Sequence, residues 1–333
     1  MNHEFNMVRA CACLSITLLH CMLFLRDTVP VTMLDIYDIF RVLLCFATPA
    51  FVMLSETLIA RSYHQSLPDA FLGKRLKFIV APFIAFAIVS ELVKVFVVGE
   101  AFDPMRLGSY LLGKYHGWFV IVIVQFYLMH MAIVKFKLSQ LSIILLTSFI
   151  TYFHYKYVTP HIDHRDYKFI FTTWAAFFCF GYFIGRYYQQ VIAFIKQNTG
   201  LIYGLAILSI AISTANFIYD GKLVHSKLFE NIPLTISLFG VLLLVGLKFG
   251  DRWWVQTVSR SSYGIYLVHW PVIVIYTTYL PMESLNYWLS IPLLFIMTTI
   301  TSIVIVRSFN NIPLGHYIVG KDNYRGPKKA VAK

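Results

Sequence analysis

Ten predominantly apolar stretches divide this chain, and the first carries an arginine and a histidine, Arg9 and His20, inside the apolar run. Crossing the hydrocarbon core of a bilayer takes about 20 apolar residues in a helix. The expected spans are residues 6–25, 39–59, 78–98, 117–134, 139–155, 169–187, 200–219, 231–249, 263–280 and 287–306. The predicted fold is therefore all-α, a polytopic integral membrane protein with about ten transmembrane helices. Segments 139–155 and 200–219 hold few polar groups and are expected to face lipid. Residues 1–310 form one transmembrane domain in this reading, and residues 311–333 a short basic cytoplasmic tail. Arg9 interrupts the first apolar run and no small-residue cleavage site follows it, so that run is expected to stay as a helix.

Composition supports a membrane chain. Hydrophobic residues make up 58% and charged residues 13%, far from a soluble domain. The 29 Phe and 21 Tyr suit lipid contact and interfacial belts. A net charge of +12 does not indicate nucleic acid here, because the basic residues are spread over short loops between apolar runs. They read as topology signals. The N-terminus, the loops near 60–77, 135–138, 187–199 and 249–262, and the C-terminus hold most of the 28 Lys and Arg. Positive-inside then places both termini in the cytoplasm. The five cysteines sit in apolar stretches and read as small hydrophobes.

Arg9 and His20 lie eleven residues apart, about 16 Å along a helix and nearly on one face. Ionisable groups inside a span are costly and point to function. Histidine removes protons near neutral pH, and arginine holds phosphate through its planar fork. A second cluster, Lys74, Arg75 and Lys77, opens the third span. It reads either as a phosphate site or as ordinary topology charge. Asp38 and Arg41 are one turn apart at the outer start of span two and can pair. Glu56, at the opposite end of that span, is positioned to orient a cation of the first cluster, Arg9. His116 and Trp118, with Gln125 further on, open span four; such groups stack on sugars or anchor an interface. Tyr266 and His269 precede Pro271 inside span nine. Proline frees a backbone carbonyl there, and His269 is the expected partner for it. The stretch His161-Ile162-Asp163-His164-Arg165-Asp166 is read as solvated loop, and no metal is expected.

Together these features resemble the membrane acyltransferase-3 family. The likeness rests on Arg9 and His20 at their spacing, and on Phe46-Ala47-Thr48-Pro49-Ala50-Phe51-Val52-Met53-Leu54-Ser55. Phe71-x-x-Lys74-Arg75 with Pro82, Trp118-Phe119 and Phe180-Gly181-Tyr182 extend it, and Ser262-Tyr263-Gly264-Ile265-Tyr266-Leu267-Val268-His269 with Pro271 completes it. Within the family the chain is most similar to the intercellular-adhesin C type, tied to poly-β-1,6-N-acetylglucosamine. Two departures stand out. Glu56 occupies a position where glycine is common, and Arg75-Leu76-Lys77 replaces an Arg-x-x-Arg, so a two-arginine clamp does not carry over whole.

The resemblance implies transfer of an acyl group, acetyl or succinyl, from cytoplasmic acyl-CoA to a hydroxyl of a surface polysaccharide. His20 would be the base or a transient acyl carrier. Arg9, Lys74, Arg75 and Lys77 would hold the coenzyme phosphates. Asp38, Arg41, His116, Trp118, Gln125, Tyr266 and His269 would face the acceptor. The expected partners are the glycan, the lipid bilayer and a polysaccharide synthase, with no nucleic acid. Export of the glycan is the rival reading, and a supporting role beside a synthase the third.

Overall fold

A computed structural model describes residues 3–219 and 223–321, apart from the side chain of His164. Residues 322–333 of the expected tail lie outside the described residues. The described residues contain helices and no strand. The chain enters through α1 (His3–Phe24), returns through α2 (Leu34–Leu44) and α3 (Ala47–Tyr63), and passes back through α4 (Phe71–Arg75) and α5 (Ala81–Phe96). The short α6 (Pro104–Leu111) leads to α7 (Phe119–Lys135), followed by α8 (Gln140–Phe153), the single turn α9 (His164–Tyr167) and α10 (Ala175–Arg186). Then come α11 (Tyr188–Gln197), α12 (Thr199–Tyr219), α13 (Asn231–Phe249), α14 (Trp253–Tyr279), α15 (Tyr287–Asn310) and the turn α16 (His316–Val319).

Seven helical stretches are long and apolar enough to cross a bilayer: those beginning at His3, Val31, Phe71, Pro104, Thr199, Asn231 and Tyr287. The other three expected spans are helical too. However, α8 and α10 are short, and α14 is long but carries polar residues on several faces. The count of ten is therefore an expectation that length and hydropathy alone do not establish.

Prolines set the breaks. Pro49 stands in the first turn of α3, where its ring excludes a normal helical carbonyl four residues back, at Cys45. The span breaks there, between Leu44 and Ala47. Pro82 opens α5 after a widened turn at Leu76–Val80. The Tyr263 hydroxyl donates to the Ile79 carbonyl of that turn, so a side chain of α14 ties the bundle to the widened turn of a neighbouring span.

α1 sits centrally. Phe5, Val8, Ala12 and Ile16 join the largest core cluster, while Met7, Ala10 and Cys13 join a second on α14. A helix buried on several faces belongs inside a bundle. Cys21, Met22 and Leu25 pack with Ile291 and Leu294 near the start of α15. α1 and α15 are thus antiparallel, and His3 and Asn310 lie on the same side. By contrast, α8 and α12 carry exposed Leu141, Leu145, Phe149, Leu205, Ile207 and Leu208, which suit lipid rather than water.

A tight seam joins α3 to α10. A Cβ on Gly181 would stand 2.5 Å from the Met53 carbonyl oxygen, and one on Gly185 2.3 Å from that of Thr57. The two glycines are four residues apart, so one face of α10 lies directly on the backbone of α3. Small residues at this spacing let membrane helices approach closely. Gly204 of α12 has nothing within 4 Å. We expect Gly185→Ala to destabilise the detergent-solubilised protein by about 1–3 kcal/mol, and Gly204→Ala to leave it unchanged or slightly more stable, read as midpoints of thermal unfolding.

Candidate active site

Stripes of α1, of α2 and α3, and of α14 enclose a cavity of about 680 Å³. Arg9, Ile16, His20 and Leu23 line it from α1, and Arg41, Cys45, Thr48, Phe51 and Ser55 from α2 and α3. The three- and four-residue steps put each set on one helix face. Ser259, Ser262, Tyr263 and Tyr266 contribute from α14, and His116, Trp118 and Phe119 from the start of α7.

One end is basic. Arg9 donates to the Ser259 hydroxyl at 3.3 Å, and Ser259 donates on to Asn6 at 3.1 Å. Lys74, Arg75, Arg260 and Lys321 line the same end. The Arg75 guanidinium lies 4.8 Å over the Phe71 ring and 5.8 Å from that of Tyr127, which holds its stem while its charge faces the cavity. Lys77 is directed elsewhere. It does not line the cavity, and its ammonium lies 5.0 Å from the Tyr317 ring. The widened turn after Arg75 rotates it away.

His20 lies further along. Its Nδ1 is 2.7 Å from Nε2 of His269, and the two ring planes lie 5° from parallel with centroids 5.0 Å apart, so the rings meet edge to edge. His269 Nδ1 is 3.1 Å from the Ile265 carbonyl. A carbonyl only accepts, so His269 carries its proton on Nδ1. Its Nε2 is then a lone pair when the ring is neutral, and it accepts from Nδ1–H of His20. That leaves Nε2 of His20 as a basic nitrogen at the cavity wall. The tautomer follows from a chain of three groups that ends on a backbone oxygen.

Pro271 frees the Leu267 carbonyl, as the sequence implies, but His269 does not take it. His116 does, with Nε2 2.9 Å from the Leu267 oxygen. His269 is committed to Ile265 and His20. The Tyr266 hydroxyl donates back to the His116 carbonyl, and His116 stacks on Trp270 at 5.8 Å. The loop before α7 is thus fastened to the kink of α14, which brings Tyr266, His116 and Trp118 to one wall. Trp118 stacks on Trp174 at 5.6 Å.

The remaining sequence candidates divide. Asp38 and Arg41 form the expected pair at 2.6 Å, and Arg26 joins at 2.8 Å. Arg41 lines the cavity and Asp38 stands behind it. Gln125 does not line the cavity. Its amide donates to the Phe169 carbonyl at 2.7 Å and accepts from Phe171 N–H at 2.8 Å, so it fastens the loop before α10. Glu56 does not pair with Arg9. It meets His130 of α7 at 2.6 Å, with both side chains fully buried, while His130 Nε2 reaches the Tyr63 carbonyl at 3.2 Å. This pair joins α3 to α7 away from the cavity. Sequence reasoning passed over His130, Ser259, Arg260, Lys321 and Lys227. His130 was legible as a second histidine inside a span. Lys227 lies in the loop before α13, and nothing in its local pattern marks it. Among the described residues no group of three or more His, Cys, Asp or Glu is arranged to hold a metal.

The profile of a family described as an acyltransferase domain matches residues 2–307. The putative membrane-bound acyltransferase YfiQ of Bacillus subtilis is 31% identical over 342 residues, covering 96% of this chain and 94% of that protein. A probable poly-beta-1,6-N-acetyl-D-glucosamine export protein of Staphylococcus aureus is 27% identical, covering 86% of this chain and 85% of its own length. A protein of the same name from Staphylococcus epidermidis is 24% identical, covering 86% and 84%. No solved structure matches the chain.

The His116 bond is testable through its proline. We expect His116→Ala to lower stability by about 1–3 kcal/mol, since it leaves a buried carbonyl without a donor. Pro271→Ala supplies an N–H for that carbonyl. The double variant should therefore lose less than the two single losses added together, by about 0.5 kcal/mol or more. Strict additivity of the unfolding midpoints would assign the Leu267 oxygen to another partner.

Proposed function

The chain belongs to the acyltransferase family whose profile it matches, and on that premise we propose that it transfers an acyl group, acetyl or succinyl, from acyl-CoA to a hydroxyl of a surface polysaccharide, with poly-N-acetylglucosamine the expected glycan. The observation that carries this reading is His20. Its Nδ1 is committed to His269, and its remaining nitrogen borders a cavity that runs on to Arg9, Lys74 and Arg75. In the reaction, Nε2 of His20 accepts the acceptor's hydroxyl proton as the oxygen attacks the thioester carbonyl. The carbon–sulfur bond breaks, and the leaving sulfur takes the proton back from the imidazolium. The bond to His269 holds the ring at the angle this requires and steadies the charged form.

Arg9, Lys74 and Arg75, with Arg260 and Lys321, suit the phosphates of the coenzyme, whose arm would extend toward His20. Phosphate favours such cations, and arginine can grip it with two parallel bonds. We place this end at the cytoplasm, which also puts both termini there, and let the acceptor approach past Trp118 and His116 from the opposite side. A polysaccharide synthase is the natural source of that acceptor.

Two relatives carry export in their names, and export remains the second reading for this chain. A cavity of about 680 Å³ is within the usual range of small-molecule sites, about 300–1,000 Å³, and this favours group transfer over passage of a polymer. The test is the O-acyl content of the secreted glycan by NMR at matched membrane expression. We expect His20→Ala to remove O-acyl signals while glycan is still secreted, and His269→Leu to lower them by about 10²-fold or more. Normal acylation in His20→Ala would exclude His20 as the base. Lost secretion, with normally acylated glycan retained by the cells, would favour export.

A further inference from the structure

The cavity continues past His20 to a second set of cations. Arg41 lines this end at 8% exposure and Lys227 at 7%. Arg41 shares a single carboxylate, Asp38, with Arg26, so this trio keeps a net positive charge. The Arg41 Nε is buried without a hydrogen-bond partner. Among the described residues the Lys227 ammonium makes no hydrogen bond or ion pair. No aspartate or glutamate is among the described residues that line the cavity.

The backbone that presents Lys227 is built rather than loose. The Lys227 N–H donates to His225 Nδ1 at 3.3 Å, and the Lys227 carbonyl accepts from Tyr155 at 3.2 Å. Asn231 of α13 donates to the His225 carbonyl at 2.9 Å. Burial, reinforced by Lys168, pulls the Lys227 ammonium down to about 8, with Cys45 and Asp163 acting the other way. It is still mostly charged at neutral pH. Two buried cations with unused donors are costly unless an anion completes them.

We propose that Arg41 and Lys227 form a subsite for an anionic oxygen group, a carboxylate or a phosphate, brought to His20 from the side opposite the coenzyme. This rests on the acyl-transfer reading for its purpose but not for its binding. The anion has two possible sources: a charged acceptor, or the far carboxylate of a dicarboxylic acyl group such as succinyl.

Sulfate is a suitable probe, because its charge is constant between pH 7 and 9. The variants are made in a Lys74→Gln/Arg75→Gln background, which removes donor-end cations. There we expect calorimetry on the detergent-solubilised protein to show sulfate binding that weakens at least fivefold with Lys227→Gln. Lys227→Arg should restore it, and binding should weaken from pH 7 to 9 with lysine but not with arginine. Equal sulfate affinity with and without Lys227→Gln overturns the subsite. Transfer kinetics of Lys227→Gln then separate the sources. A rise in KM confined to succinyl-CoA assigns the anion to the acyl group, whereas a rise in the acceptor's KM with either donor assigns it to the acceptor. No change in either overturns the proposal. Failure of the acyl-transfer reading would show separately, as no transfer by the wild-type protein from either donor while sulfate binding still depends on Lys227.

Discussion

One backbone oxygen organises the site. In a membrane every carbonyl needs a donor from within the protein, and Pro271 withholds the one that Leu267 would normally receive. His116 fills the vacancy from another helix. That bond brings the start of α7 against α14, and the return bond from Tyr266 fixes its angle. Trp118 and Phe119 reach the cavity because of it. His269, released from serving Leu267, is free to hold His20. The proline thus does more than bend a helix. It creates a demand whose satisfaction assembles two walls of the cavity.

Much of this was legible in the sequence, and the pattern of what was not has a physical cause. Arg9 and His20 were readable because a helix converts eleven residues into one face and three turns, with no tertiary knowledge required. Lys74 and Arg75 were readable as charges at a span boundary. Lys77 shows the limit: two residues further on, it is turned away by a widened helical turn that composition does not announce. Gln125 and Glu56 failed differently. Gln125 was read as facing the acceptor and Glu56 as orienting Arg9, but Gln125 holds a loop backbone and Glu56 meets His130. A one-dimensional reading identifies the need and not who meets it. The Leu267 carbonyl repeats the lesson, since the freed group was expected and its donor was not.

The charge layout ties the site to its chemistry. Cations line both ends of the cavity, while the middle holds His20, aromatic rings and small hydroxyls. Among the described residues lining it there is no acid that would neutralise them from within. Asp38 stands behind Arg41 rather than in the space itself. Cations at both ends suit anionic groups there, with an uncharged stretch between them beside groups able to move protons.

The division of α3 into two faces has a consequence for how such proteins diversify. One face, at Met53, Glu56, Thr57 and Ala60, is pressed on the glycines of α10 or paired with His130, where almost any replacement costs stability. The other face, at Thr48, Phe51 and Ser55, borders the cavity and contacts what occupies it. Mutations there reshape the cavity wall without disturbing the seam that keeps the bundle together. A single helix therefore separates heritable variation in specificity from the requirement to fold. On this scaffold, new substrates are accessible through small steps in three or four residues rather than through a redesigned fold.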